Sequence, residues 1–339
     1  MMKNKMTRRA VLIGAMVLVS FWGGWVVKAR VSNTRSEVTY DNPPLRGKDQ
    51  RYKFISPLLA CGVLGNEEFR EFEPLKTQLK QMVDKKVYTK EAKTISIYFR
   101  DLDRGRRVAI NEDEKYFPAS LLKVPLMITY FKLGEKEPAV LNERIVYDGS
   151  FDVNAKEDIG PTQAIQAGRS YTAEELIKAM IVYSDNNATK LIFDSVDKNF
   201  LSEVGTDISV YSPAPEGSID VMSAKYYSYF FRVLYNATYL NKEMSEKALD
   251  LLSQSDFKKG IRAGVPFGTQ VAEKFGESTI YAREGAPPIK ELHDCGIVYF
   301  SKGPYLLCVM TKGDNFDNLS RTIQDVSELV YKGVSAPGY

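Results

Sequence analysis

The sequence is poor in the residues that most often bind transition metals. Its 339 residues include three cysteines and one histidine, His293, and their positions match no zinc-ligand spacing. No glycine-rich phosphate loop occurs, and no basic run stands out beyond the N-terminus. The net charge is only +3, from 46 basic and 43 acidic residues. We therefore expect no metal, no cofactor and no nucleic-acid partner.

A long, largely apolar run lies close to the N-terminus. Four basic residues precede the run Ala10–Val27, and Lys28 and Arg30 follow it. This pattern is typical of an export signal or a signal anchor. The 18 residues of the run are just long enough to span a bilayer, whereas Ala29 favours cleavage, so both outcomes stay open.

These features predict the domain organisation and the location of the chain. We expect residues 1–30 to be the signal or anchor and the polar residues 31–65 to be a linker. Residues 66–333 would form the catalytic domain, and residues 334–339 would be a tail. That domain would face the outside of the cytoplasmic membrane, either anchored there or secreted.

Strand patterns occur at both ends of the predicted domain, and helical patterns occupy its middle. Alternating or apolar runs predict strands at 95–100, 107–111, 270–276, 295–300 and 305–310. The first of these strands alternates polar and apolar residues, as a half-buried strand does. A capping box at Thr172 and Glu175 starts one of the helices between them. The pattern predicts an α+β fold in which both ends build one antiparallel sheet, beside an all-helical lobe and a cleft.

Cys295 and Cys308 flank a predicted hairpin turn near Ser301. A two-residue turn would place the two cysteines opposite each other, which would allow a disulfide. The apolar residues around them favour two buried free thiols instead.

Ser120 and Lys123 form a Ser-x-x-Lys motif at the start of a predicted buried helix. A helix brings residues i and i+3 onto one face, so the two side chains would be neighbours. A serine hydroxyl is a weak nucleophile until a base removes its proton, and a desolvated lysine can be that base. The motif is common by chance, so further motifs have to support it.

Two more motifs follow in order, Ser184-Asp185-Asn186 and Lys274-Phe275-Gly276, at distances of 64 and 90 residues. With all three, the sequence resembles the penicillin-recognising serine hydrolases, and most closely the class A β-lactamases, over about residues 66–333. The resemblance implies a five-stranded antiparallel sheet flanked by helices and joined to an all-helical lobe.

The resemblance also implies catalytic roles. Ser120 would attack the carbonyl carbon of a cyclic or peptide-like amide, and Lys123 would relay its proton. Ser184 would protonate the departing nitrogen, whereas Asp185 would be structural and bind backbone N–H groups. The backbone N–H groups of Ser120 and Glu277 would form the oxyanion hole.

The remaining motif residues would bind the substrate. The amide of Asn186 would hold the side-chain amide of the substrate, and Lys274 would attract its carboxylate. Gly276 would keep side-chain bulk away from the substrate beside the strand. We expect Glu273, next to Lys274, to be an exposed strand residue, and His293 to be structural rather than part of a triad.

The chain departs from the class A pattern at two points. Phe275 replaces the usual threonine or serine, whose hydroxyl contacts the substrate carboxylate; Ser278 is a nearby substitute. The Glu-x-x-Leu-Asn signature of the deacylating glutamate is missing, and the matching stretch 211–218 has Glu216 as its only central carboxylate. We favour a solvated loop residue at Glu216, and without a base the ester would persist.

Three functions therefore remain open. The leading one is a serine hydrolase that forms an acyl-serine intermediate and hydrolyses β-lactams. One alternative is a D,D-peptidase or penicillin-binding enzyme acting on a peptidoglycan-like peptide; another is a membrane-tethered binding or sensor domain without turnover. We expect a monomer that contacts the membrane only through its N-terminal segment.

Overall fold

Five antiparallel strands form the central sheet of the structure. This computed structural model describes residues 45–46, 51–60, 72–208, 221–281 and 287–336. The strands are β1 (Thr94–Asp101), β2 (Arg107–Ile110), β3 (Gln270–Ile280), β4 (Ile289–Tyr299) and β5 (Tyr305–Gly313). Their order in the sheet is β2-β1-β5-β4-β3. The prediction of one sheet built from both ends of the domain is confirmed.

Helices occupy the middle of the chain and flank the sheet. They are α1 (Glu73–Tyr88), α2 (Lys123–Lys136), α3 (Ala173–Val182), α4 (Asn186–Ser195), α5 (Lys198–Asp207), α6 (Ala224–Tyr235), α7 (Lys242–Ser253) and α8 (Phe316–Ser335). Short 3₁₀ turns lie at Ala119–Leu122, Pro138–Asn142, Asn154–Lys156 and Arg262–Gly264. Two small antiparallel pairs join Leu45–Arg46 to Leu58–Ala60 and Arg144–Tyr147 to Arg169–Thr172. The α+β architecture with a helical lobe matches the prediction.

Both faces of the sheet are covered, so β1 is buried on both sides. Ile97 and Phe99 pack with α1 and α8 on one face. Tyr98 on the other face packs with the helical lobe, to which α6 belongs. Ser96 and Arg100 are buried as well. The expected half-buried strand is therefore wrong, because the alternation along β1 separates two cores rather than core from solvent.

The β4–β5 hairpin has the predicted register, with Cys295 opposite Cys308. The two cysteines are fully buried and joined by a disulfide, with Cα atoms 4.0 Å apart. The expectation of two free thiols is therefore wrong. A buried cysteine with apolar neighbours can be a free thiol or part of a disulfide, so the sequence composition alone could not distinguish the two states.

Residues 51–57 pack against the sheet and the helical lobe although they lie in the predicted linker. The ring of Phe54 is buried and makes an edge contact with Tyr299, 5.2 Å between centroids. The carboxylate of Glu246 accepts hydrogen bonds from the backbone N–H groups of Lys53, Phe54 and Ile55. The packed unit thus includes described residues N-terminal to position 66.

Two predicted segments lie outside the described residues. They are the apolar run Ala10–Val27 and the stretch 211–218 that contains Glu216. Among the residues that the structure describes, no helix combines the length and the apolar character needed to cross a membrane.

Candidate active site

Ser120 lies in a short 3₁₀ turn, Ala119–Leu122, directly before α2. The turn begins with Ala119 at φ 46°, in the left-handed region that non-glycine residues adopt at an energetic cost. Lys123 is the first residue of α2 and is buried. The predicted placement of the serine and the lysine one turn apart at a helix start is observed.

The hydroxyl of Ser184 connects the three motifs. Its Oγ donates to Ser120 Oγ across 3.3 Å. It also accepts from Nζ of Lys123 and from Nζ of Lys274, each at 3.0 Å. Ser184 itself has φ 60°, so its backbone is also left-handed. Residues 64 and 90 positions apart thus form one continuous hydrogen-bonded chain.

Lys123 is held by the Ser184-Asp185-Asn186 loop. Besides Ser184 Oγ, its Nζ donates to Ser184 O at 2.7 Å and to Asn186 Oδ1 at 2.5 Å. Burial lowers the pKa of Lys123 to about 7, and the charges of Glu157, Asp185 and Glu277 oppose that effect. Near neutral pH a large fraction of Lys123 is therefore an amine that can accept a proton.

Lys274 is fully buried on β3, and burial lowers its pKa well below the usual range, as does the nearby charge of Lys123. Its Nζ also donates to Phe275 O at 3.0 Å. Behind it, Glu273 is buried against Arg262, with 2.7 Å between carboxylate and guanidinium. The expectation that Glu273 is exposed is wrong, because the core that contains Val271 and Phe275 covers this face of β3. Burial and the charge of Asp294 raise the pKa of Glu273.

Gly276 allows β3 to lie directly against the turn that carries Ser120. A Cβ atom at this glycine would lie 2.9 Å from Pro118 O and 3.0 Å from Leu121 N. The glycine thus makes room for protein backbone, whereas the sequence suggested room for substrate. This close approach places the backbone of Glu277 beside the turn, and its role as oxyanion donor with Ser120 stays a prediction.

Asp185 has the structural role that was predicted. It caps α4, with Oδ1 accepting from the N–H groups of Asn187 at 2.8 Å and Ala188 at 3.1 Å. Its Oδ2 accepts from the N–H of Ile165 at 2.7 Å. The side chain therefore holds the loop on which Ser184 and Asn186 lie.

A pair of carboxyl groups in the site was not anticipated. Asn186 Nδ2 donates to Glu157 Oε1 at 2.7 Å, and the charge of Glu157 acts on the carboxyl group of Glu277. Glu277 Oε1 also accepts from the N–H of Ile159 at 2.8 Å. Burial raises the pKa of Glu277 to about 7, and Glu157 and Asp158 add to the effect. Glu157 belongs to no motif, so no sequence signal could have identified it.

A cavity of about 1100 Å³ adjoins the nucleophile. Its lining includes the polar residues Ser120, Lys123, Asn186, Glu157 and Glu277 together with apolar residues. Ser278 also belongs to the lining, and its buried Oγ has no hydrogen-bond partner among the described residues.

Phe275 and His293 contribute no side chain to that cavity. The ring of Phe275 stacks on Phe257, 4.2 Å between centroids, in the core behind β3. Both ring nitrogens of His293 are engaged, Nε2 with Phe117 O and Glu291 and Nδ1 with the N–H of Thr311. The structural role expected for His293 is therefore confirmed, and it forms no triad with Ser120.

The comparisons with known proteins agree with this fold. The model of the Beta-lactamase enzyme family matches residues 74–334, so the chain belongs to that family. The chain is accordingly a serine β-lactamase-like hydrolase.

Individual relatives share about a quarter of the aligned residues with this chain. A β-lactamase of Bacillus licheniformis is 26% identical over 280 residues, which cover 78% of this chain and 86% of that protein. Beta-lactamase 3 of Bacillus cereus is 25% identical and covers 66% of this chain and 71% of that protein.

Solved structures share the fold. A mutant of PBP-A in an acyl-enzyme complex with penicillin G superposes with a TM-score of 0.65 at 22% identity, covering 79% of this chain and 99% of that one. A β-lactamase from Sphaerobacter thermophilus gives a TM-score of 0.64 at 18% identity, covering 77% of this chain and 98% of that one.

Proposed function

We propose that the protein hydrolyses β-lactams through an ester on Ser120, with Lys123 and Ser184 as the proton-transferring groups. One observation carries the proposal. Ser184 Oγ lies 3.3 Å from Ser120 Oγ and 3.0 Å from Nζ of both Lys123 and Lys274. A hydroxyl in contact with the nucleophile and with a lysine of lowered pKa is a proton relay.

Acylation uses this chain of bonds with its hydroxyl groups rotated, so that Ser120 donates to Ser184 and Ser184 donates to the neutral amine of Lys123. Ser120 Oγ attacks the carbonyl carbon of the lactam, and its proton passes through Ser184 to neutral Lys123. The C–N bond of the ring then breaks, and the proton returns through Ser184 to the ring nitrogen. Lys123 ends the step neutral, as it began, and the product is an ester on Ser120.

We propose the following substrate contacts, which the family resemblance implies. Lys274 would attract the carboxylate of the β-lactam in its protonated form, which the approach of that negative charge favours. The unpartnered Oγ of Ser278 would supply the hydroxyl that Phe275 lacks. The amide of Asn186 would bind the acylamide of the substrate. Because Glu157 occupies that amide in the structure, the substrate would have to displace its carboxylate.

Turnover requires water to attack the ester and a base to accept its proton, after which Ser120 Oγ leaves and is reprotonated. Glu157 is a carboxylate of the same cavity as Ser120. Glu216, the candidate from the sequence, lies outside the described residues. Glu157→Gln and Glu216→Gln variants separate the two: the base is the residue whose loss leaves an ester that no longer hydrolyses.

The test uses the purified full-length protein and a chromogenic β-lactam, followed by absorbance and by intact-protein mass spectrometry. We expect multiple turnovers that Ser120→Ala abolishes. The control is Ser301→Ala, since Ser301 is exposed at the turn between β4 and β5. A stable adduct without turnover would contradict hydrolysis and favour the penicillin-binding alternative. Absence of both adduct and turnover would overturn the acylation step as well.

We further propose that the catalytic unit acts as a monomer outside the cytoplasmic membrane. The basic residues before Ala10–Val27 support export. Protease digestion of intact cells tests the location, and the mass of residue-1-containing peptides tests whether the segment is cleaved. Light scattering of the purified protein tests the monomer.

A further inference from the structure

Two buried side chains of β4 bind the backbone just before the nucleophile. Glu291 Oε2 accepts from the N–H of Phe117 at 3.0 Å, and His293 Nε2 lies 3.1 Å from Phe117 O. Glu291 and His293 are 1% and 0% exposed. Being two residues apart on a strand, they point to the same face of the sheet. Both polar backbone groups of Phe117, three residues before Ser120, are thus bound by β4.

The hydrogen bonds around His293 define its tautomer. The N–H of Thr311 donates to Nδ1 at 3.3 Å, so Nδ1 presents its lone pair. The ring proton is therefore on Nε2, which points to Phe117 O and lies 3.2 Å from Glu291 Oε2. A neutral imidazole satisfies all of these contacts.

Neighbouring groups hold this pair in place. Lys312 Nζ lies 3.3 Å from Glu291 Oε1, on the side away from Phe117. The ring of Tyr116 makes an edge contact with His293, 5.2 Å between centroids, and its hydroxyl is 2.8 Å from Ser96 Oγ. Strand β1, strand β4 and strand β5 therefore all fix the orientation of the two side chains.

We propose that Glu291 and His293 are positioning residues for acylation, because they clamp Phe117 and thereby the turn that carries Ser120. His293 lies opposite Gly276 in the β3–β4 register, and Gly276 abuts Pro118 O and Leu121 N. Gly276 has no side chain that could bind the turn, so other residues of the sheet have to hold the turn in place. The clamp sets the distance between Ser120 and the backbone of Glu277.

The inference rests on the proposed function, in which Ser120 is acylated. A displacement of about 1 Å in such a site costs on the order of 100-fold in rate. The clamp touches neither substrate nor reacting atoms, so its loss should lower the acylation rate constant and leave the dissociation constant of the noncovalent complex unchanged.

The test compares His293→Gln with His293→Asn. The glutamine amide nitrogen reaches the position of Nε2 and can still donate to Phe117 O, whereas the asparagine amide is one methylene too short. We expect acylation within about threefold of the wild-type rate for His293→Gln, and a loss of about tenfold to 100-fold for His293→Asn. Glu291→Gln keeps an acceptor for Phe117 N–H and should fall between the two.

Equal acylation rates for the His293→Gln and His293→Asn proteins would overturn the clamp, as would a change confined to the dissociation constant. Amide hydrogen exchange at Phe117 is the second readout, and we expect faster exchange in His293→Asn than in His293→Gln. This exchange measurement does not depend on acylation. If the wild-type protein forms no adduct, the proposed function fails. Equal exchange at Phe117 in both variants would still overturn the clamp.

Discussion

Ser184 Oγ donates a hydrogen bond to Ser120 Oγ across 3.3 Å, although the two residues are 64 positions apart in the sequence. The backbone of Ser184 is left-handed at this point, with φ 60°.

Ser184→Ala should slow acylation by about 100- to 1,000-fold, because it removes the only described relay that contacts both Ser120 and Lys123. Stopped-flow absorbance with excess β-lactam measures the rate constant. Ser301→Ala, at an exposed turn, is the control and should match the wild type. A loss of less than about threefold in Ser184→Ala would show that the proton moves by another route.

Acylation should depend on pH through Lys123. Its pKa is lowered to about 7, and the neutral amine is the form that accepts a proton. The rate constant should therefore rise about tenfold per pH unit below pH 7 and level off above it. Lys123→Arg should be inactive throughout, since a guanidinium stays protonated. A flat wild-type profile between about pH 5.5 and 8.5 would contradict Lys123 as the base.

Stability should depend on pH through Glu277. Its pKa is raised from 4.5 to about 7 in the folded protein, so the folded state holds a proton that the unfolded state releases. The free energy of unfolding should therefore fall as the pH rises from about 4.5 to 7. Glu277→Gln should make this decline shallower, whereas Glu114→Gln, at an exposed site, should not. Urea unfolding at pH 5 and pH 8 measures the difference, and equal slopes in both variants would refute the assignment.

Gly276→Ala should lower both stability and acylation, because the added methyl group would meet Pro118 O at 2.9 Å and Leu121 N at 3.0 Å. Relief requires a backbone shift, and such overpacking costs about 1–3 kcal/mol. Gly160→Ala is the matched control, since its Cβ would meet nothing within 4 Å. Urea unfolding and the acylation rate constant are measured together. If Gly276→Ala left stability and the acylation rate constant unchanged, β3 and the turn would be less closely packed than the structure shows.

Much of the fold could be predicted from local patterns. Alternation and turn residues located the strands and the register of Cys295 with Cys308, and the Thr172–Glu175 capping box marked the start of α3. These features depend on residues close together in sequence, so a single chain suffices to infer them. The order of the three motifs then indicated which distant residues meet.

Long-range packing could not be predicted from local sequence patterns. Glu273 is a polar residue, yet its side chain is buried against Arg262. The two cysteines form a disulfide. The burial of both faces of β1 depends on helices from other parts of the chain. Burial and disulfide pairing depend on which surfaces meet in the fold, and local sequence periodicity carries no information about those surfaces.

By itself the sequence determined the family, the α+β architecture and the Ser120–Lys123 pair, because each depends on residue types at fixed spacings. The three motifs also indicated that Ser184 and Lys274 meet the nucleophile. Only the tertiary structure gave the hydrogen bonds that join them, placed Glu157 on the amide of Asn186, and set Glu291 and His293 against Phe117. The physical reason is that hydrogen bonds and pKa shifts depend on distance and burial in space. Residues far apart in sequence acquire these properties only when the chain folds.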